Sequence, residues 1–189
     1  LPDLCADGAG AGVGASTAYT RPRRLRGVAD TVRMMVERLG YDRIAVLGVS
    51  LGGAVAQQLA HQAPDLVRRL VLAATSPGLG GLPGSPRALL ALATPHRYHP
   101  PHYYRESAGR VFGGLARTGP EVFLRGPAAR LVEPPSVTGH LGQLYSISGW
   151  TSLPWLHTLR QPTLVLAGDD DPIVPLINGR ILAWRIPTA

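Results

Sequence analysis

The segment of this chain best suited to covalent chemistry is Gly48-Val49-Ser50-Leu51-Gly52, a serine between two glycines, each two residues from it. Before it runs Ile44-Ala-Val-Leu47, short, apolar and rich in β-branched residues, as a buried parallel strand is. After it a helical pattern covers residues 51–61, and Pro64 ends it. A serine on such a strand-to-helix turn sits in a strained conformation that lifts its hydroxyl above the sheet. Small residues at 48, 52 and 53 are expected, because a side chain there would collide with neighbouring backbone. The N–H of Leu51, at the start of the helix, is placed to donate to the oxyanion of a tetrahedral intermediate. A Gly-rich βα turn with an N-capping serine, or a phosphate-binding turn, would share the pattern. Gly53 and Ala54 running straight into Val-Ala-Gln-Gln-Leu-Ala favour the nucleophile.

A hydroxyl attacks only when a base takes its proton, and the base needs an acid to hold its tautomer. Candidate acids stand together in Gly168-Asp169-Asp170-Asp171-Pro172, after a third apolar run, Pro162-Thr-Leu-Val-Leu-Ala167. That is the carboxyl end of a strand, where an open α/β sheet gathers its functional loops. Three carboxylates also suit a solvated turn or a metal, but a metal wants further ligands at defined spacing. None stands nearby, so neither metal nor cofactor is expected. The six histidines, at 61, 96, 99, 102, 140 and 157, all precede the carboxylates. In the α/β-hydrolase arrangement the order is serine, acid, histidine, so the general base is expected beyond Ala189. His61 reads as a partly exposed structural residue of the helix after Ser50. His96, His99 and His102 recur every three residues, but Pro95, Pro100 and Pro101 break any helix that could align them on a metal. His140 and His157 read as edge residues of an insert.

The elements that must position these groups alternate. Val28, Val32, Met35, Val36 and Leu39 recur at helical spacing before Gly40, and Arg69-Leu-Val-Leu-Ala-Ala74 reads as a second buried strand. Alternating helix and strand predict a parallel sheet covered on both faces. From residue 76 to about 148 the chain turns dense in Gly, Pro, Arg and Tyr, with weak amphipathic pieces at 87–93 and 121–132. That is too long for a loop in a compact domain and predicts an inserted lid. The expected layout is an α/β-hydrolase core over 1–75, a lid over 76–148 and the rest of the core over 149–189. Gly8, Gly10, Gly12 and Gly14 punctuate a loop before the first helix. A dinucleotide reading of it lacks a clean strand before and a helix opening on it. The second oxyanion donor is expected from an earlier loop, so the domain is expected to extend past both ends of the chain.

Composition narrows the class. Hydrophobic residues make up 45% and charged residues only 16%, which suits a packed core and argues against disorder. No apolar run approaches the roughly 18 residues of a membrane span. The net charge of +7 is scattered, its densest run at 21–26 lacks aromatic interleaving, and nucleic acid is not an expected partner. The single cysteine, Cys5, excludes an internal disulfide framework and fits a reducing compartment.

With these residues in view, the chain resembles the intracellular poly(3-hydroxyalkanoate) depolymerases that act on medium-chain-length polyesters. The resemblance is carried by Gly48-Val-Ser-Leu-Gly-Gly-Ala-Val-Ala-Gln-Gln-Leu-Ala-His61, Leu70-Val-Leu-Ala-Ala-Thr75 and Trp150-Thr-Ser-Leu-Pro-Trp-Leu-His157. It continues through Gln161-Pro-Thr-Leu-Val-Leu-Ala-Gly-Asp-Asp-Asp-Pro172, Leu176-Ile-Asn178 and Leu182-Ala-Trp-Arg-Ile-Pro187. It implies a serine esterase that cleaves 3-hydroxyacyl esters in the cytoplasm at a storage-granule surface, with Ser50 as nucleophile and Asp171, in Asp-x-Ile-Val-Pro, as acid. Asp169 and Asp170 are then expected to cap the turn. Leu51 stands where these enzymes often have tryptophan. The hydrophobic polyester or acyl ester would meet lid residues such as Leu89, Leu90, Leu92, Tyr103 and Tyr104. Two other readings stay open: a non-catalytic or granule-binding relative, and another carboxylic-ester, lactone or carbon–carbon bond hydrolase sharing the elbow and acid turn.

Overall fold

The computed structural model describes residues 23–93, Gly109, 112–119 and 137–189. The glycines at 8–14, the histidines at 96, 99 and 102, Tyr103, Tyr104 and the amphipathic piece at 121–132 lie outside the described residues. Helix α1 (Leu25–Arg38) buries Leu25, Ala29 and Val36, with Val32 packed beside them, a stripe repeating every three to four residues. Leu39, expected on that stripe, is instead 52% exposed, because the helix ends at Arg38 and Gly40 at φ +78° turns the chain away just past it.

Three parallel strands follow in the order β1 (Ile44–Val49), β2 (Val67–Ala73) and β3 (Thr163–Leu166). Helix α2 (Leu51–Gln62) connects β1 to β2, and α5 (Leu176–Arg185) follows β3. Leu70 and Leu72 of β2, Val46 of β1 and Val165 of β3 share one face of the sheet. They pack with Ala56, Leu59 and Ala60 of α2 and with Leu182 and Ile186 beside β3 into a single core. Parallel register then aligns Leu47, Val71 and Leu164, and next to them Val49, Ala73 and Leu166, on the other face. There Leu47, Val49, Leu164 and Leu166 are 66%, 54%, 53% and 48% exposed. The expected helical cover is thus present on one face among the described residues. The other face carries the apolar residues of a strand surface made to be covered. No described helix is long and apolar enough to cross a membrane.

Between β2 and β3 the described residues form α3 (Pro86–Ala93), a 3₁₀ turn (Gly114–Arg117) and α4 (Val137–Ile147). This segment leaves and rejoins the core at one point. Gly78 and Thr151 form an antiparallel bridge, and Leu79 N–H donates to the Trp150 carbonyl at 2.8 Å. Gly78 has φ +80°, and a Cβ there would strike the Trp150 carbonyl oxygen, so both backbone shape and space require glycine.

Helix α2 holds this junction with two buried amides. Ser152 Oγ–H donates to Gln57 Oε1 at 2.7 Å, and Gln57 Nε2–H donates to the Ser76 carbonyl at 3.2 Å. From the next residue of α2, Gln58 Oε1 accepts from Trp150 Nε1–H at 2.7 Å. Gln57 and Ser152 are both fully buried. On the α5 side, buried Asn178 imitates a strand partner: Leu82 N–H donates to its Oδ1 at 2.9 Å and its Nδ2–H donates to the Leu82 carbonyl at 2.8 Å.

Candidate active site

Ser50 occupies the turn between β1 and α2 with φ +53° and ψ −121°. That backbone region is hostile to a side chain, and holding a non-glycine residue there costs about 1–3 kcal/mol. The surroundings impose it. Ser50 N–H donates to the Ala73 carbonyl of β2 at 2.9 Å, while its own carbonyl accepts from Gly53 N–H at 2.9 Å and Ala54 N–H at 3.4 Å. The residue is exposed, and its hydroxyl makes no hydrogen bond among the described residues. Leu51 N–H, the first of the helix, likewise donates to no acceptor there. The positive end of α2 therefore points a free donor beside a free hydroxyl.

The three glycines around this turn are small for different reasons. A Cβ on Gly48 would meet the Gly52 carbonyl oxygen and, at 2.7 Å, Gly53 Cα, so β1 and α2 could not come together. A Cβ on Gly53 would meet the Thr75 side chain at 2.5–2.6 Å, not backbone as expected. A Cβ on Gly52 would meet nothing within 4 Å, so the expected collision at 52 is absent: the residue opens the helix facing outward.

The carboxylates lie past the end of β3, two strands from Ser50. The register pairs Val49 with Ala73 and Ala73 with Leu166, so the ends of the three strands form one row. Neighbouring strands are about 4.8 Å apart, which puts the ends of β1 and β3 about 10 Å apart at that row. Asp171 is half-buried, and its Oδ1 accepts from Ile173 N–H at 2.8 Å and Val174 N–H at 2.9 Å. One oxygen is thereby fixed and Oδ2 is left without a partner among the described residues.

Capping falls to Asp171 itself rather than to its neighbours, a correction to the sequence-based expectation. Asp170 turns the other way. Its carboxylate accepts from Arg117 Nε at 2.8 Å and Nη2 at 3.1 Å, and from Gly114 N–H at 2.7 Å, joining the acid turn to the segment between β2 and β3. The Arg117 hydrogen bonds first, and then the Gly114 N–H, hold the Asp170 carboxyl below the usual carboxylate range. Asp169, the third of the group, is exposed and caps nothing among the described residues. The same segment grips the acid turn twice more: Ser85 N–H donates to the Pro172 carbonyl at 2.7 Å, and Gly84 abuts the Ile173 carbonyl oxygen.

No described histidine stands between Ser50 and Asp171 as a base. His61 lies in the last turn of α2, about 16 Å along the helix from Ser50. It stacks on Trp155 with ring centroids 4.3 Å apart, and burial there, with Arg26 near, lowers its pKa. His157 is exposed on a short 3₁₀ turn (Leu156–Thr158). His140, expected at an edge, is instead fully buried on α4, its Nε2 3.3 Å from the Ala93 carbonyl oxygen. Helix α4 packs its small and polar side inward here, so the histidine closes the contact with α3.

Sequence reasoning passed over Thr75, Gln57, Ser152, Asn178 and Arg117. A polar residue inside an apolar helix pattern, as at Gln57 and Gln58, was the one available signal that a buried amide was needed.

Comparison with known proteins gives the family and the fold. The model of the alpha/beta hydrolase fold family matches residues 11–189. The poly(3-hydroxyalkanoate) depolymerase of Ectopseudomonas oleovorans is 46% identical over 178 residues, covering 94% of this chain and 62% of that protein. A thermophilic esterase from Thermogutta terrifontis superposes with a TM-score of 0.71 at 27% identity, covering 94% of this chain and 65% of the esterase. The enol-lactonase from Burkholderia xenovorans LB400 superposes with a TM-score of 0.74 at 23% identity, covering 94% and 67%. The chain thus spans less than two thirds of the length of the curated depolymerase and about two thirds of that of the two solved structures.

Proposed function

Since the chain belongs to the alpha/beta hydrolase fold family, we propose that it forms the nucleophile-and-acid part of a serine ester hydrolase acting on 3-hydroxyalkanoate polyester. The observation that carries this is the strained Ser50 at φ +53°, exposed, beside the unpaired N–H of Leu51. Ser50 Oγ attacks the ester carbonyl carbon while a histidine base takes its proton. The carbonyl oxygen becomes an oxyanion that accepts from Leu51 N–H. As the intermediate collapses, the C–O bond of the ester breaks, the leaving alkoxide takes the proton from the imidazolium, and an acyl-serine is left. Water, activated by the same base, then releases the hydroxy acid. Asp171 orients the imidazole with its free Oδ2. The family order places that histidine after the acid, and we assign it to positions following those the chain spans.

The polyester assignment draws on the depolymerase that is 46% identical and on exposed apolar residues of the segment that joins β2 to β3. Leu79, Leu82, Leu90, Leu115 and Leu141 there are each more than half exposed. We take residues 76–148 to be the lid that receives the polymer chain, and we place the enzyme at the surface of cytoplasmic storage granules.

The test is turnover by the full-length protein on p-nitrophenyl alkanoates and on a suspension of medium-chain polyester. Ser50→Ala is expected to abolish both, and Asp171→Asn to lower kcat by about 10⁴-fold. A fluorophosphonate is expected to label Ser50. Undiminished turnover by Ser50→Ala would overturn the mechanism. A full-length protein that binds polymer but hydrolyses neither substrate would establish the non-catalytic reading instead.

A further inference from the structure

Among the described residues two non-glycine residues have positive φ, Ser50 at +53° and Ala74 at +46°. They follow Val49 and Ala73, a register pair, so two strained corners stand side by side at the carboxyl ends of adjacent strands. The first belongs to the nucleophile; the second has no chemical group of its own. Its effect is on the next residue. Ala74 N–H is held by the Leu166 carbonyl of β3 at 2.9 Å, and the left-handed turn there sends Thr75 back beneath the elbow. Thr75 is 5% exposed, its Oγ1–H donates to the Ser50 carbonyl at 2.8 Å, and its side chain fills the space beside Gly53.

The Ser50 carbonyl and the Leu51 N–H belong to one peptide unit. A trans peptide is planar, and its C=O and N–H point in opposite directions. Whatever fixes the carbonyl therefore aims the N–H. Two of the carbonyl's three donors, Gly53 N–H and Ala54 N–H, belong to α2 and move with it. The third, Thr75 Oγ1–H, comes from the end of β2 and ties the peptide to the sheet.

We propose that Thr75 is a positioning residue for the oxyanion site: its hydroxyl locks the Ser50–Leu51 peptide plane so that Leu51 N–H faces the developing oxyanion. The inference rests on the serine-hydrolase reading above. Without the hydroxyl the plane is free to rock about the strained Ser50, and the donor loses alignment in the transition state, where alignment counts most.

The experiment compares full-length Thr75→Val, which keeps shape and loses the donor, with Thr75→Ser, which keeps the donor. Removing an oxyanion donor outright costs about 10²–10³ in kcat; misaligning one is expected to cost roughly 10–100-fold. Thr75→Val should lower kcat by that factor with KM within about twofold, and Thr75→Ser should restore most of it. The readout that a packing role would not move is inhibitor affinity. An alkyl boronic acid, which forms a tetrahedral adduct on the serine, should lose affinity in step with kcat/KM, while an alkyl alcohol of the same chain length, which presents no oxyanion, should bind as before. If Thr75→Val does not fold, Thr75→Cys, similar in size and a weak donor, takes its place and should behave like it. Equal kcat in the donor-less variant and the parent, or parallel losses for boronate and alcohol, would overturn the proposal. Ser50→Ala, run alongside, separates the two readings: if it is inert while Thr75→Val is fully active, only this inference fails, whereas an active Ser50→Ala removes both.

Discussion

Gly48 and Gly52 occupy symmetrical places in the motif and opposite ones in space, so the same substitution should act on them with opposite sign. In Gly48→Ala the new methyl meets the Gly52 carbonyl oxygen, the Gly52 carbonyl carbon at 2.7 Å and Gly53 Cα at 2.7 Å. All three are backbone, with no rotamer to swing aside, and the only relief is to part β1 from α2. Overpacking usually costs 1–3 kcal/mol; with backbone on every side the expected loss is about 3 kcal/mol. In Gly52→Ala the methyl meets nothing within 4 Å, and the residue lies in the first turn of α2. There alanine should stabilise by about 0.5–1 kcal/mol, through helix propensity and the smaller entropy of the unfolded chain. For a protein of this size class each kcal/mol moves Tm by about 2–4 °C, so Gly48→Ala should fall by roughly 6–12 °C and Gly52→Ala should rise by a few degrees. Thermal and urea unfolding of the full-length variants measure both. Two variants that unfold together, or a Gly48→Ala as stable as its parent, would refute the reasoning that close approach of backbone, rather than the motif as such, fixes the first glycine.

Three further expectations follow from the same geometry. Ser50→Gly removes the strain at φ +53°, about 1–3 kcal/mol, against a glycine penalty of about 0.5–1 kcal/mol; a net gain of about 1 kcal/mol in urea unfolding, not matched by Ser50→Ala, is expected alongside loss of turnover. Gln57→Leu leaves the Ser76 carbonyl without this donor and the buried Ser152 hydroxyl with only the longer contact to the Pro77 carbonyl at 3.3 Å and should cost about 1–3 kcal/mol, and a cycle with Ser152→Ala should show coupling above about 0.5 kcal/mol; additive losses would argue against a shared network. Asp170 titrates below its ordinary value because of Arg117 and Gly114, so its contact is complete above the unfolded carboxylate pKa near 3.9 and is lost as pH falls through the lowered folded value. Parent stability should therefore drop more steeply than that of Asp170→Asn at the acid end, and superimposable acid limbs in pH-dependent unfolding would contradict the assignment.

Much of this molecule was legible beforehand. Apolar runs at 44–47, 69–74 and 162–167 predicted three strands that are present at Ile44–Val49, Val67–Ala73 and Thr163–Leu166. Helical patterning likewise predicted α1 and α2, and a weak amphipathic piece marked α3. Those are local signals, and hydrophobic spacing reports them directly. The elbow was legible for a different reason: a motif with glycine at fixed offsets encodes a backbone shape. What escaped were contacts made across the fold. Nothing near Asp170 in sequence announces Arg117, and nothing near Thr75 announces Ser50, because each pair is brought together by strand register and crossover rather than by spacing. The division of labour among three adjacent aspartates was misjudged for the same reason, since charge and position along the chain are alike for all three and only the surroundings differ.

The junction at Gly78 and Thr151 has an evolutionary consequence. The chain departs and returns through neighbouring residues fastened to α2 and α5, so what the core requires of the enclosed stretch is chiefly this closure and the contacts of Ser85, Gly114 and Arg117 with the acid turn. Lengthening a loop adds closure entropy only logarithmically, about 0.6 kcal/mol per doubling. Selection can therefore rewrite the rest of the enclosed stretch while Ser50 and Asp171 stay put, and a stretch from a relative, grafted between the same two residues with those contacts kept, should leave the elbow and the acid turn as they are.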